Sequence, residues 1–159
     1  MQFNNEFKLW CHYEKDNWNI DGYKMIYKIN DSKSFWELYN NWDNIGGVLC
    51  KQFFLMKNNI NPRWEDKANR NGGCWSFKLN LEDYKDIWEM LSILFVVGEL
   101  SKEYGDINGL SICLKKNDKI VIKIWNSSKN KNQIENLNRI IFDEYNPEII
   151  YIANNPNKE

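Results

Sequence analysis

The sequence predicts an α+β fold, an antiparallel sheet with helices packed on one face. Three observations lead there. Segments with strand and helix patterning follow one another in the order ββαββαββαβ. The connections between them are mostly short, which suits strands that reverse direction. The length of 159 residues and an apolar share of 43% fit one domain with a real core, expected over 1–159 with the core from about 7 to 153.

Each element has a local reason. Residues 7–13 set Phe7, Leu9, Cys11 and Tyr13 against Lys8, Trp10 and His12, the period-two pattern of a strand. Residues 14–22 are polar, end on Gly22 and read as a loop that contains Trp18. Residues 23–30 alternate again, with Tyr23, Met25, Tyr27 and Ile29 on one face. Asp31 or Ser32 then caps a short helix reaching Trp42, which carries Phe35, Trp36, Leu38 and Tyr39. A dense apolar run makes 50–57 a strand, and the Asn-, Pro- and Gly-rich stretch 58–73 is a long loop before a strand at 74–79. Asn80 followed by Asp83 resembles a capping pattern and opens a helix to about Val97, where Gly98 stops it. Residues 99–108 are a loop. Residues 109–116 and 119–125 form a hairpin around Asn117 and Asp118. After a polar loop at 126–132, apolar residues at 134, 137, 140, 141 and 145 predict a helix over 133–145, and Pro147 leads into a last strand at 148–153.

Composition excludes several classes of function. With 21 basic and 22 acidic residues the net charge is −1, so a generally basic nucleic-acid coat is ruled out and any anion site must be local. No apolar run approaches the length of a membrane span, and the N-terminus lacks a signal-peptide pattern, so a cytoplasmic protein without membrane contact is expected. Cys11, Cys50, Cys74 and Cys113 form no CxxC pair, and His12 is the single histidine. Reduced thiols, no metal and no cofactor are therefore expected, and His-based catalysis is largely excluded. The 25 Asn and 18 Lys against 3 Arg match the bias of AT-rich coding, so part of the Asn content reads as drift; the 8 Trp have no such explanation.

The informative aromatics lie in loops. Trp18 and Trp64 are each either a lid over the core or a ligand contact. Two loop indoles can clamp a flat ring, with about 1–3 kcal/mol per stacked base and a cation–π contribution if the ring is positively charged. Glu65 follows Trp64; its carboxylate can accept two parallel hydrogen bonds, as the N1–H and exocyclic amine of guanine offer and adenine does not. Glu65 and Asp66 diverge along an extended chain and have no second acidic motif, so a metal-dependent enzyme is not expected. Lys115, Lys116 and Lys119 supply local positive charge for phosphates, or are simply a solvated hairpin tip.

Taken in order and spacing, residues 7–10 (FKLW), 34–40 (SFWELYN), 60–66 (INPRWED), 71–75 (NGGCW), 98–99 (GE) and 117–120 (NDKI) carry a resemblance over nearly the whole chain. The chain resembles the eukaryotic translation initiation factor 4E family, the messenger RNA cap-binding proteins. The resemblance implies a curved antiparallel sheet with about three helices on its convex face and a cap pocket on its concave face. It implies no enzyme, but recognition of 7-methylguanosine between two aromatic rings with a Glu on the base edge. Trp64 and Glu65 match the family's second Trp and Glu; Trp18 matches the first Trp, with Tyr23 as the alternative because the 14–22 loop is short. Lys115 and Lys119 match the phosphate-binding positions, while Cys74 stands where the family has a basic residue, a loss that Lys116 or Lys123 would offset.

Trp36 matches the centre of a dorsal surface that docks a helical motif of a scaffold or repressor protein. Helical spacing adds Met90, Leu94 and Val97 as a second apolar stripe, for which a broadly buried helix is the plain alternative. The partners implied are capped mRNA and that helical motif, and the chain is expected to be a monomer. Its compactness and bias fit a reduced member from an AT-rich genome, such as a virus or parasite. The alternative function keeps one surface only, cap or partner, and acts as a decoy or translational repressor.

Overall fold

In the computed structural model, residues 1–45, 52–103 and 105–154 are described. Among the described residues the strand-patterned segments become seven strands: β1 (Gln2–His12), β2 (Tyr23–Asp31), β3 (Gln52–Lys57), β4 (Gly73–Asn80), β5 (Ile107–Lys115), β6 (Lys119–Asn126) and β7 (Ile150–Ala153). They form one sheet in the order β2-β1-β3-β5-β6-β4-β7, and every neighbouring pair is antiparallel. Among the described residues three helices, α1 (Ser32–Tyr39), α2 (Tyr84–Val96) and α3 (Ile140–Glu144), pack on one face of this curved sheet. The α+β architecture expected from the sequence is the one that forms.

Strand register sorts the side chains. One row runs Leu9–Leu55–Leu110–Ile124–Trp75 across five strands, all buried, and packs under Ile87, Trp88 and Leu91 of α2. Each such side chain contributes about 1.5–3 kcal/mol on burial. The next row, on the opposite face, runs Trp10–Phe54–Ser111–Lys123–Ser76, and beyond it lies Met56–Gly109–Trp125–Cys74. Among the described residues, this face holds a small apolar cluster of Tyr23, Phe54 and Met56, with Trp10, Ile60 and Trp125 against it. Gly109 is required there: a Cβ would sit 2.3 Å from the Met56 sulfur and 2.9 Å from the Leu55 carbonyl oxygen.

Asp31 is the residue that caps α1. Its carboxylate accepts from the Ser34 amide at 2.8 Å while the Ser34 hydroxyl accepts from the Asp31 amide at 3.2 Å, a reciprocal capping box. Gly98, at φ +79°, ends the rise of α2 as expected. The hairpin between β5 and β6 turns through Asn117 and Asp118, whose φ values of 61° and 56° lie in the left-handed region that Asn and Asp accept readily.

Several boundaries differ from the sequence reading. β1 begins at Gln2, well before residue 7, because its backbone reaches the end of β2 across an irregularity between Gln2 and Phe7. α1 stops at Tyr39, and Trp42 belongs to a separate 3-10 turn, Trp42–Ile45. Cys50, the expected start of β3, lies outside the described residues. Ile107 and Asn108, read as loop, are the first residues of β5. Asn80 caps no helix; it ends β4, and its side-chain oxygen accepts from the Lys119 ammonium.

The largest correction is the helix predicted over 133–145. The chain makes a 3-10 turn at Ile134–Asn136, extends at Leu137, and turns helical only at Ile140–Glu144. Backbone bonds explain this: Lys102 N donates to the Asn136 carbonyl and Asn138 N to the Leu100 carbonyl, both at 2.8 Å. Leu137 and Ile141 are buried, yet Ile140 is 52% exposed, so the helical spacing is only half used. Among the described residues, no helix is long and apolar enough to cross a membrane.

Candidate functional site

The β3–β4 loop is fastened by its polar residues. Both Asp66 oxygens accept backbone amides, from Asn61 at 3.0 Å and Ala68 at 2.9 Å. Asn69 is fully buried and donates to the carbonyls of Asn61 and Arg63, while Asn108 of β5 donates to the Asn69 side-chain oxygen and the Ala68 carbonyl. The loop is thereby tied to the sheet at its base. Trp64, 38% exposed, and the half-buried Glu65 project from the fastened turn. Asp66 is thus a structural carboxylate whose acceptors are already occupied by amides.

The β1–β2 loop is built around His12. Its Nε2 lies 2.7 Å from the Asn17 carbonyl and donates to it, which assigns the ring proton to Nε2. The imidazole lies flat against Trp18, with ring centroids 3.9 Å apart and planes 11° from parallel. Trp18 is 51% exposed. Tyr23, by contrast, is buried and packs against His12 and Phe54.

Arg63 joins the two loops. Its Nε donates to the Trp18 carbonyl at 3.1 Å, and its guanidinium donates to Glu65 Oε2 at 3.0 Å. Burial and then the Glu65 charge push the Tyr23 phenol up to about 12, with Arg63 acting in the opposite sense. Trp18, Tyr23, Arg63 and Glu65 therefore share one electrostatic neighbourhood beside the apolar cluster of the helix-free face.

The lysines divide into two groups. Lys115 and Lys119 are the last cross-strand pair of the hairpin, and both are exposed. Lys123 shares their face but lies about 13 Å further along the strand, in register with Ser111 and Ser76 and next to the Trp125–Cys74 pair. Burial raises the Cys74 thiol above its usual range, and the Lys123 charge works against that shift. Lys123 thus brings positive charge to the position where Cys74 brings none. Trp125 is oriented by its indole N–H, which donates to the Ser111 hydroxyl at 3.1 Å.

On the helical side, Trp36 of α1 is 40% exposed and meets Phe35 edge-on. Leu94 is buried in the core, and Met90 and Val97 rest partly buried on it. Most of the stripe read from α2 is therefore spent on packing, and Trp36 is the large ring left facing outward.

Sequence reasoning missed His12 as the support of Trp18, Arg63 as the link between loops, and Asn69 and Asn108 as the base of the Trp64 loop. A usable signal existed for Asn69 alone: it sits among turn residues three positions before the Gly72-Gly73 pair, where a side-chain amide commonly replaces backbone partners.

Comparison with known proteins agrees with this architecture. The family model described as "Eukaryotic initiation factor 4E" matches residues 2–155. Eukaryotic translation initiation factor 4E of Candida albicans is 29% identical over 139 residues, covering 80% of this chain and 65% of the relative. The Dictyostelium discoideum protein of the same name is 28% identical over 127 residues, covering 76% and 50%. The chain thus spans about half to two thirds of the length of these curated relatives. Among solved structures, the complex of C. elegans eIF4E-3 with the 4E-binding protein Mextli and a cap analog has a TM-score of 0.80 at 24% identity, covering 96% of this chain and 91% of the other. The Ascaris suum eIF4E-3 complex with the m7G cap has a TM-score of 0.81 at 18% identity, covering 99% and 93%. At these identities the structural likeness is one of fold. The match over residues 2–155, on a sheet and helices of the same form, places the chain in the eukaryotic initiation factor 4E family.

Proposed function

We propose that this chain binds the 7-methylguanosine cap of messenger RNA and docks a helical segment of a scaffold or repressor protein, as a recognition module without a catalytic step. The observation that carries the reading is the meeting of two loops at Arg63: it joins the backbone of one exposed ring, Trp18, to the carboxylate that follows the other, Trp64. Trp18 serves as the first stacking ring in preference to Tyr23, because Tyr23 is buried and already packed against its neighbours. Trp64 supplies the second ring, and Glu65 accepts from N1–H and the exocyclic amine of the base.

The phosphates run along the helix-free face toward Lys123, and from there toward Lys115 and Lys119. Trp36 anchors the partner helix, with Met90 at its margin. Names of the solved neighbours mention a cap, a cap analog and a 4E-binding protein, which agrees with both halves of the proposal.

Titration of the tryptophan fluorescence with 7-methyl-GTP, and with GTP as control, tests it. Quenching at micromolar or lower concentrations by the methylated ligand alone is expected. A second reading, a decoy that keeps only the Trp36 surface, draws on the buried Cys74 thiol in place of a cation. No quenching by either nucleotide would overturn cap recognition in favour of that reading.

A further inference from the structure

Arg63 occupies the carboxylate that the proposed ligand needs. Its guanidinium donates to Glu65 Oε2 at 3.0 Å, within a pair of which the arginine side chain is 25% and the glutamate 40% exposed. The same side chain donates from Nε to the Trp18 carbonyl, so it is held both by the Trp18 loop and by Glu65. A guanine edge presents two parallel N–H donors and requires both Glu65 oxygens at once. The guanidinium N–H fills one acceptor position of Oε2 and draws on its charge, so it competes with the base for that oxygen.

We infer that Arg63 is a resident competitor for the base edge, an internal guanidinium that draws on the Glu65 oxygen a guanine-type ligand also uses. The inference rests on the cap-binding reading above. It identifies Arg63 as a residue that sets affinity without being required for stacking. The competition is common to every ligand that uses the Glu65 edge, so removing Arg63 tightens both 7-methylguanosine and guanosine, and the cationic base at least as much as the neutral one because a neighbouring cation is removed with it. Because the ion pair is partly exposed, that factor is about threefold to fivefold. Charge pairing makes the guanidinium a stronger single donor to Glu65 than neutral guanine offers.

Arg63 also tethers the Trp18 loop, so the test must separate tethering from competition. The probe is 7-methylguanosine, whose lack of phosphates removes any contribution from the lysines or from a displaced Arg63 reaching a phosphate. Its dissociation constant is measured for the wild-type chain, Arg63→Met, Glu65→Gln and the double variant. Arg63→Met is expected to bind about threefold to fivefold more tightly than wild type, with no gain when the same change is made on top of Glu65→Gln. If the effect of Arg63→Met is the same whether or not Glu65 is present, or if Arg63→Met weakens binding only when Glu65 is present, the competitor role is overturned while cap binding stands. Failure of all four proteins to bind overturns both readings. Circular dichroism of each variant confirms that the comparison is between folded proteins.

Discussion

At the scale of residues, the two exposed rings are not equivalent. Trp18 lies on His12 and has one face covered by imidazole, whereas Trp64 stands on a loop held by hydrogen bonds. Trp18→Leu and Trp64→Leu are each expected to cost about 1–3 kcal/mol in 7-methyl-GTP affinity, read by titration calorimetry. Tyr23→Phe should leave affinity nearly unchanged, because the phenol is buried beside the site rather than presented to it. A silent Trp18→Leu would move the first ring elsewhere. Asn69→Ala strips donors from two carbonyls and an acceptor from Asn108 in a dry position. It is expected to destabilise the chain by about 1–3 kcal/mol, measured by urea unfolding, and to weaken ligand binding through the loop that carries Trp64.

Elements show how local signals become positions. The Asp31 capping box holds the start of α1, the helix that carries Trp36. Its carboxyl lies below the ordinary value of 3.8, chiefly through the Ser34 amide and next through the Ser34 hydroxyl. A depressed folded value means that the stabilisation is fully present above about pH 4 and is lost as pH falls through the lower folded value. Asp31→Asn keeps a capping oxygen but does not titrate, so melting curves should show wild type losing its advantage over this variant only below about pH 4. Equal acid sensitivity of the two proteins would remove Asp31 as a source of the pH dependence. At the sheet edge, β7 pairs with β4 through four residue pairs, and a Cβ on Gly73 would meet the Ile152 carbonyl oxygen at 2.3 Å. Gly73→Ala is therefore expected to loosen β7, seen as faster amide exchange at Tyr151 and Ala153 while the Leu9–Leu55–Leu110 row stays protected. On the other side, Trp36→Ala should abolish capture of a partner helix and leave 7-methyl-GTP affinity within error, since the two surfaces lie on opposite faces of the sheet.

For the molecule as a whole, charge and stacking predict distinct responses. A cationic ring gains from both indoles and from Glu65, so 7-methyl-GTP should bind at least about tenfold better than GTP. Equal affinities would sink the clamp. Added salt should weaken the triphosphate more than the nucleoside, because only the lysines act through screened charge. The near-neutral composition makes this local positive face, rather than the net charge, the source of any anion attraction.

Much of this was legible from residues alone. Local pattern located all seven strands found among the described residues: alternation marked β1 and β2, where a register slip would expose a whole buried set, a dense apolar run marked β3, and turn residues marked the β5–β6 hairpin. Loop placement of Trp18, Trp64 and Glu65 was equally plain, since indole in a polar turn is uncommon without a purpose. The start of α1 at Asp31 or Ser32 and the stop at Gly98 were local and readable, and the structure chose Asp31 of the two. The helix expected over 133–145 failed because its backbone partners, Leu100 and Lys102, are remote in sequence; no periodicity reports them.

By itself, then, the sequence determined the strands, the start of α1, the end of α2 at Gly98, the aromatic loops and the family they resemble, all properties of short-range pattern. Only the tertiary structure decided that Leu94 is core, that His12 supports Trp18, that Asn69 and Asn108 fasten the Trp64 loop, and that Arg63 sits on Glu65. Those outcomes depend on which loops and strands meet in space, and a buried hydrogen bond is satisfied by whichever partner the folded chain brings within reach.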